Sequence, residues 1–102
     1  MQQAITIDAL KALDAIAKKG SFAAAAESLH KVPSALTYTI KKLEEDIGSP
    51  LFDRSKQRAT LTPAGKLVLE QGRDILHATT RMVDAVKQLE SGWESEIRIA
   101  RD

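Results

Sequence analysis

The sequence predicts a mainly α-helical domain: three helices and a two-stranded hairpin, followed by one long helix. Three observations carry this. Apolar residues recur at spacings of three and four between Ile7 and Ile47. Residues 51–61 break that rhythm around a polar, basic centre. Residues 64–91 then resume it without a single proline.

The first helix is TIDALKALDAIAKKG, where Ile7, Leu10, Leu13 and Ile16, with Ala17, make one apolar face. Thr6 is its expected N-cap and Asp8 suits the positive end of its dipole. Lys18 and Lys19 suit the other end, and Gly20 stops it. The second helix, SFAAAAESLH, is capped by Ser21 and anchored by Phe22 and Leu29. Its alanines favour helix and allow close approach, with Ala23 and Ala26 as the packing positions.

The third helix starts at Pro33 and runs to about Ile47. Leu36, Ile40, Leu43 and Ile47 share one face, opposite Ser34, Tyr38, Lys41 and Glu45, with Thr37 and Lys42 on the shoulders. Pro33 occupies the first turn, where a missing N–H costs nothing, and Gly48 ends the helix. The joint between the second and third helices is about three residues long. A joint this tight suits a helix-turn-helix, and equally an ordinary helical corner.

In SPLFDRSKQRATLTPAG, two short strands at Leu51-Phe52 and Ala59-Thr60-Leu61 flank a loop around Ser55, Lys56 and Gln57. The loop lacks glycine, so a turn longer than two residues is expected. Thr62 caps and Pro63 begins the last helix, which runs to about Ser91. Its stripe is Ala64, Val68, Ile75, Met82, Val86 and Leu89, with Gln71 and Thr79 as polar breaks. Gly72 inside it costs about 1 kcal/mol relative to alanine. So long a stripe exceeds what the preceding residues can cover. Either a second chain covers the far half, which predicts a dimer, or a larger domain does. Gly92 is expected to break the helix. The alternation in EIRIARD (Ile97 and Ile99 against Arg98 and Ala100) reads as the opening strand of a further domain.

Composition narrows the function classes. Hydrophobic residues make up 43% and charged residues 28%, the balance of a soluble globular protein. No apolar run approaches a membrane span and no signal-peptide pattern opens the chain, so a cytoplasmic protein with no membrane partner is expected. With no cysteine, disulfides and thiolate metal sites are excluded. His30 and His77 stand alone, so no metal site is expected, and His30 reads as a helix-end residue. No nucleophile–histidine–acid arrangement, glycine-rich phosphate loop or paired carboxylates mark an enzyme. Net charge is +1, but residues 18–66 hold nine Lys/Arg against five Asp/Glu, whereas residues 67–102 hold five against seven. On its own this bias favours charge scatter over a polyanion partner.

The order of elements, together with GSFAAAAESLH, SALTYTIKKLEEDIG, PLFDR and LTPAG in register, resembles the LysR-type bacterial transcriptional regulators over residues 7–91. The resemblance implies a winged helix-turn-helix DNA-binding domain over 1–62 and a linker and dimerisation helix over 63–91. Residues 92–102 would be a hinge and the first strand of a truncated effector-binding domain. It also implies a bacterial, ligand-responsive activator or repressor, dimeric, that reads interrupted palindromes. No cofactor is expected in these residues, and a small-molecule effector only in the C-terminal domain they lack. A tetramer of the full-length protein is a further expectation. The chain departs from the family pattern at Val32-Pro33, where many members have a Ser/Thr cap followed by glutamine. It departs also at Tyr38, at Lys56 and at Gln57.

Major-groove reading requires short polar groups near a helix N-terminus, with cations at the phosphates. Pro33, Ser34, Thr37 and Tyr38 fit the first need, and Lys41 and Lys42 the second. Arg54, Lys56 and Arg58 in the hairpin would reach phosphates or the minor groove, and the N–H groups at Ser21 another phosphate. Val68, Ile75, Thr79, Met82, Val86 and Leu89 would form the dimer interface. Structural roles compete with these. Thr37 can bond back to a carbonyl, Lys41 can pair with Glu45, and Arg54 can pair with Asp53 or with an acid on another helix. Trp93 reads as an interdomain or dimer contact. A helical protein-interaction module without DNA binding is the alternative function.

Overall fold

The computed structural model of the chain describes the backbone of residues 5–55 and 58–101, and the side chains of these through residue 91. Six elements follow in order: α1 (Ile7–Lys19), α2 (Phe22–Ser28), α3 (Pro33–Ile47), β1 (Phe52–Asp53), β2 (Thr60–Leu61) and α4 (Pro63–Arg101). The strands pair antiparallel, Phe52 opposite Leu61 and Asp53 opposite Thr60. Lys56 and Gln57, expected in the loop between them, lie outside the described residues.

Local cap chemistry sets the helix ends. Thr6 Oγ1 accepts from Ala9 N at 3.0 Å and Ser21 Oγ from Ala24 N at 3.0 Å. Thr62 Oγ1 accepts from Gly65 N at 2.9 Å and donates to the Pro50 carbonyl at 2.7 Å, so one hydroxyl starts α4 and ties it to the hairpin. Helix α1 ends on Gly20 and α3 on Gly48, both left-handed. Helix α2 ends differently. His30 takes the left-handed position at φ 57°, and Lys31 N closes back onto Ala26 O at 2.8 Å. This is the turn between α2 and α3, built with a histidine where glycine is usual.

The core lies where α1, α2 and α3 meet. Leu13, Ile16, Leu36, Ile40, Leu43 and Leu51 are fully buried. Each is worth about 1.5–3 kcal/mol of transfer free energy. Phe22 packs edge-on against Phe52, ring centroids 5.5 Å apart, and so carries the hairpin on α2. Within α2 the buried alanines are Ala25 and Ala26; Ala23, expected to pack, is exposed. The anchors explain this. Phe22, Ala25, Ala26 and Leu29 fall at i, i+3, i+4 and i+7 on one face, which Ala23 does not share. Ile7 of α1 is likewise exposed, and Ala9 and Ala12 are buried instead.

Helix α4 divides in two. Ala64, Val68 and Leu69 pack on the core, while residues 80–91 are all exposed. The near half docks through Gly65 and Gly72, whose missing side chains let α4 approach Leu51 and Leu10. Arg73 Nε then donates to Asp14 Oδ1 of α1 at 2.7 Å. The helix also passes Gly92 and continues to Arg101, so the break at Gly92 and the strand expected at Ile97–Ala100 are not formed. One glycine in helical conformation costs a helix about 1 kcal/mol, which by itself is too little to end it. A strand needs a neighbour for its N–H and C=O groups, whereas a helix satisfies them internally. The Trp93 side chain lies outside those described.

Candidate nucleic-acid interface

Helix α3 is held by one face only. Leu36, Ile40 and Leu43 are buried, Ile47 is partly so, and Pro33, Ser34, Tyr38, Lys41 and Lys42 are exposed. Tyr38 shows 64% of its surface. A tyrosine left this open on a helix with ample apolar anchors is not there to pack. Val32 is the N-cap residue and supplies no side-chain hydrogen bond, and the first turn carries no acid. No side chain therefore caps the positive end of this fifteen-residue helix, where Pro33 lacks an N–H and Ala35 N donates to Val32 O at 3.0 Å.

The side chains on this face differ in what they have left to offer. Thr37 Oγ1 donates to Pro33 O at 3.1 Å, the back-bonding anticipated as its structural role. With its proton committed, the hydroxyl keeps its acceptor lone pairs and its methyl stays available. Ser34 makes no hydrogen bond among the described residues, so its hydroxyl can donate or accept. Lys42, rather than Lys41, finds the acid: its Nζ lies 3.9 Å from Glu45 Oε2 and 5.6 Å from the Tyr38 ring centroid. Lys41 has no ion-pair partner among the described residues.

The hairpin contributes two guanidinium groups, and both are placed by aromatic or backbone neighbours. Arg54 lies over the Phe22 ring, its Cζ 5.1 Å from the centroid, and its Nη2 is 3.6 Å from Glu44 Oε1. The acid on another helix is therefore Glu44 of α3. Arg58 lies against Gly20, so closely that a Cβ there would stand 2.7 Å from its Nη2. Ala59 N donates to Gly20 O at 3.3 Å and fastens the same strand to the α1–α2 turn. Ser21, Phe22, Arg54, Arg58 and Ala59 line a cleft of about 260 Å³ together with Phe52 and Asp53. Ser21 and the two arginines, singled out on separate elements, share this one cleft.

Glu44 carries a contact that sequence reasoning missed. In the fold its Oε2 accepts from Leu51 N at 2.7 Å and Phe52 N at 3.4 Å, while Oε1 faces Arg54. A short strand with no neighbour on its outer edge needs acceptors for its N–H groups, and that need was the signal available. The Asp14 contacts were also missed. Burial raises the Asp14 pKa, but the Arg73 and Lys18 hydrogen bonds and charges outweigh it and hold the carboxyl below its ordinary 3.8.

On the proposed dimer face, Val68 packs on its own chain's core, and Thr79 Oγ1 donates to Leu76 O at 2.7 Å. Ile75, Met82, Val86 and Leu89 are exposed, Leu89 by 70%. Among the described residues no helix is long and apolar enough to cross a membrane.

Comparison with known proteins gives a consistent result. The model of the lysR family of bacterial regulatory helix-turn-helix proteins matches residues 7–66. The chain is 45% identical over 101 residues to the probable HTH-type transcriptional regulator YhaJ of Escherichia coli K12, covering 99% of this chain and 34% of YhaJ. It is 41% identical over 93 residues to the Escherichia coli K12 regulator PunR, covering 91% of this chain and 30% of PunR. It thus spans about a third of the length of these curated relatives. Its fold matches the BenM DNA-binding domain in complex with catB site 1 DNA (TM-score 0.82, 26% identity, 85% of this chain and 98% of that one). It also matches the CbnR DNA-binding domain in its DNA complex (TM-score 0.77, 36% identity, 81% and 95%). The matched range takes in α1, α2, α3, the hairpin and the start of α4, and the chain belongs to the lysR family of bacterial regulatory helix-turn-helix proteins.

Proposed function

We propose that this chain binds double-stranded DNA sequence-specifically, as a homodimer that reads an interrupted palindrome. The observation that carries the reading is α3 itself: an uncapped, acid-free helix start with Ser34 and Tyr38 exposed on a face the core does not use. Helix α3 enters the major groove. Thr37, its proton committed, accepts from a base amine or packs its methyl on a thymine methyl. Tyr38 presents its hydroxyl to a base edge or phosphate, and Ser34 and the Pro33 ring contact the groove wall. Lys41, with Lys42 behind it, neutralises phosphates. Arg54, Arg58 and Lys56 meet the backbone or the adjacent minor groove, and Ser21 a further phosphate. Two copies pair through Ile75, Thr79, Met82, Val86 and Leu89, with Val68 at the near end. A tetramer in the full-length protein extends the same pairing.

The chain performs no catalysis in this reading and works in the cytoplasm of a bacterium. The relatives being transcriptional regulators supports both points. Effector recognition lies outside these residues.

Fluorescence anisotropy with genomic fragments, titrated with salt, tests the proposal. Affinity is expected to fall linearly in log–log form, with a slope of about −0.9 per neutralised phosphate. Selecting and sequencing bound fragments should return a palindrome with half-sites about one helical turn apart, or a small multiple. Tyr38→Ala and Thr37→Ala should change the selected sequence, whereas Arg54→Ala and Lys56→Ala should weaken all duplexes alike. Binding without any salt slope would mean a protein-interaction module instead.

A further inference from the structure

We infer that Glu44 is a positioning residue for DNA binding: it orders Arg54 against the Phe22 ring so that the guanidinium meets phosphate already oriented. The inference rests on the DNA-binding reading above and deepens its account of the wing.

An acid this close to a wing ought to hinder binding. Glu44 is mostly buried, with 16% of its side chain exposed, and it is the first acid of α3. If it acted only by charge, it would repel phosphate and a neutral residue would bind DNA better. Its geometry argues for the opposite net effect. One oxygen is fixed by the backbone N–H groups of Leu51 and Phe52, so the carboxylate has a set orientation. The other faces Arg54 Nη2 at 3.6 Å, while the Phe22 ring lies beneath the same guanidinium. Arg54 is thus restrained on two sides, yet 45% of its side chain remains exposed. A planar guanidinium has five N–H donors, and Glu44 faces it from one side only, at ion-pair distance. The free edge can still donate to a phosphate oxygen. A flexible arginine gives up rotamer freedom when it binds. Arg54 has given up much of that freedom on folding.

The test is a double-mutant cycle on the 102-residue chain, read by anisotropy with one labelled non-specific duplex at fixed salt. Glu44→Gln keeps an oxygen to accept from Leu51 N–H and removes the charge that holds Arg54. Expected is a three- to tenfold loss of affinity for Glu44→Gln when Arg54 is present. No loss, or a gain, is expected when Glu44→Gln is combined with Arg54→Ala. Equal effects of Glu44→Gln in both backgrounds, or tighter binding in both, would overturn the inference. Should Glu44→Gln fail to fold, Arg54→Lys decides. It keeps the charge but not the planar fork, so it should bind less tightly than wild type though better than Arg54→Ala, and wild-type binding by Arg54→Lys would overturn the inference. Absence of salt-dependent binding by the wild-type chain is a separate outcome, which removes the DNA-binding reading itself.

Discussion

Two glycines in α4 invite the same substitution and should answer in opposite ways. By helix propensity alone, Gly65→Ala and Gly72→Ala would each stabilise the protein by up to about 1 kcal/mol. The packing reverses one of them. A Cβ on Gly65 would collide with the Leu51 carbonyl oxygen and stand 3.0 Å from both the Leu51 carbonyl carbon and Leu61 Cδ2. That carbonyl is backbone and accepts from Thr62 N at 3.0 Å, so it cannot move without breaking the joint between hairpin and α4. Overpacking costs about 1–3 kcal/mol and the hydrogen bond about 1 more. Less the propensity gain, Gly65→Ala should lose about 1–3 kcal/mol. A Cβ on Gly72 meets only Leu10 Cδ2 at 3.0 Å, the far end of a side chain that can turn aside. Gly72→Ala should stay within about 1 kcal/mol of wild type, because propensity offsets the contact. Urea unfolding followed by circular dichroism, at one fixed protein concentration because association shifts the midpoint, measures both. In a thermal scan, each kcal/mol lost corresponds to a fall of roughly 4–8 °C for a domain of this size. A Gly65→Ala protein as stable as wild type would refute the close approach of α4 to Leu51.

Three further predictions follow from single contacts. His30→Gly should stabilise the chain by about 0.5–1 kcal/mol, since a left-handed backbone burdens histidine and not glycine; a comparable loss in urea unfolding would contradict the turn geometry. Asp14→Asn should cost about 0.5–1 kcal/mol at pH 7 by releasing Arg73 and Lys18, both partly exposed. Because the folded carboxyl titrates below 3.8, the wild-type advantage is full above that value and disappears as pH falls through the lower folded one; an advantage that grows on acidification would refute the pairing. Leu89→Lys, on the exposed far half of α4, should raise the dimer dissociation constant at least tenfold in sedimentation while the melting of the winged unit stays put, and an unchanged constant would move the interface elsewhere.

What was legible in the sequence is what local chemistry decides. A hydroxyl three residues before an N–H names its own cap, so Thr6, Ser21 and Thr62 could be found by inspection. Period alone identified Leu36, Ile40 and Leu43. Contacts between residues distant in the chain left no such trace. Asp14 and Arg73 are 59 residues apart, and neither has a neighbour in sequence that announces the other. Gly65 looked like any glycine in a first turn until the Leu51 carbonyl was set against it.

Glu44 shows how the two kinds of information meet in one helix. The acids of α3 fall in its second half, which would keep them from the phosphate in the proposed DNA complex. Delay does not explain why the first acid falls at 44. That position is set by the hairpin, whose Leu51 and Phe52 N–H groups need an acceptor from the far end of α3. A residue one turn earlier would bring its charge nearer the helix start, and one at Glu45 is exposed on another face, beside Lys42. The proposed contact with DNA says where an acid must not be. The constraint from the hairpin says where one must be, and Glu44 satisfies both.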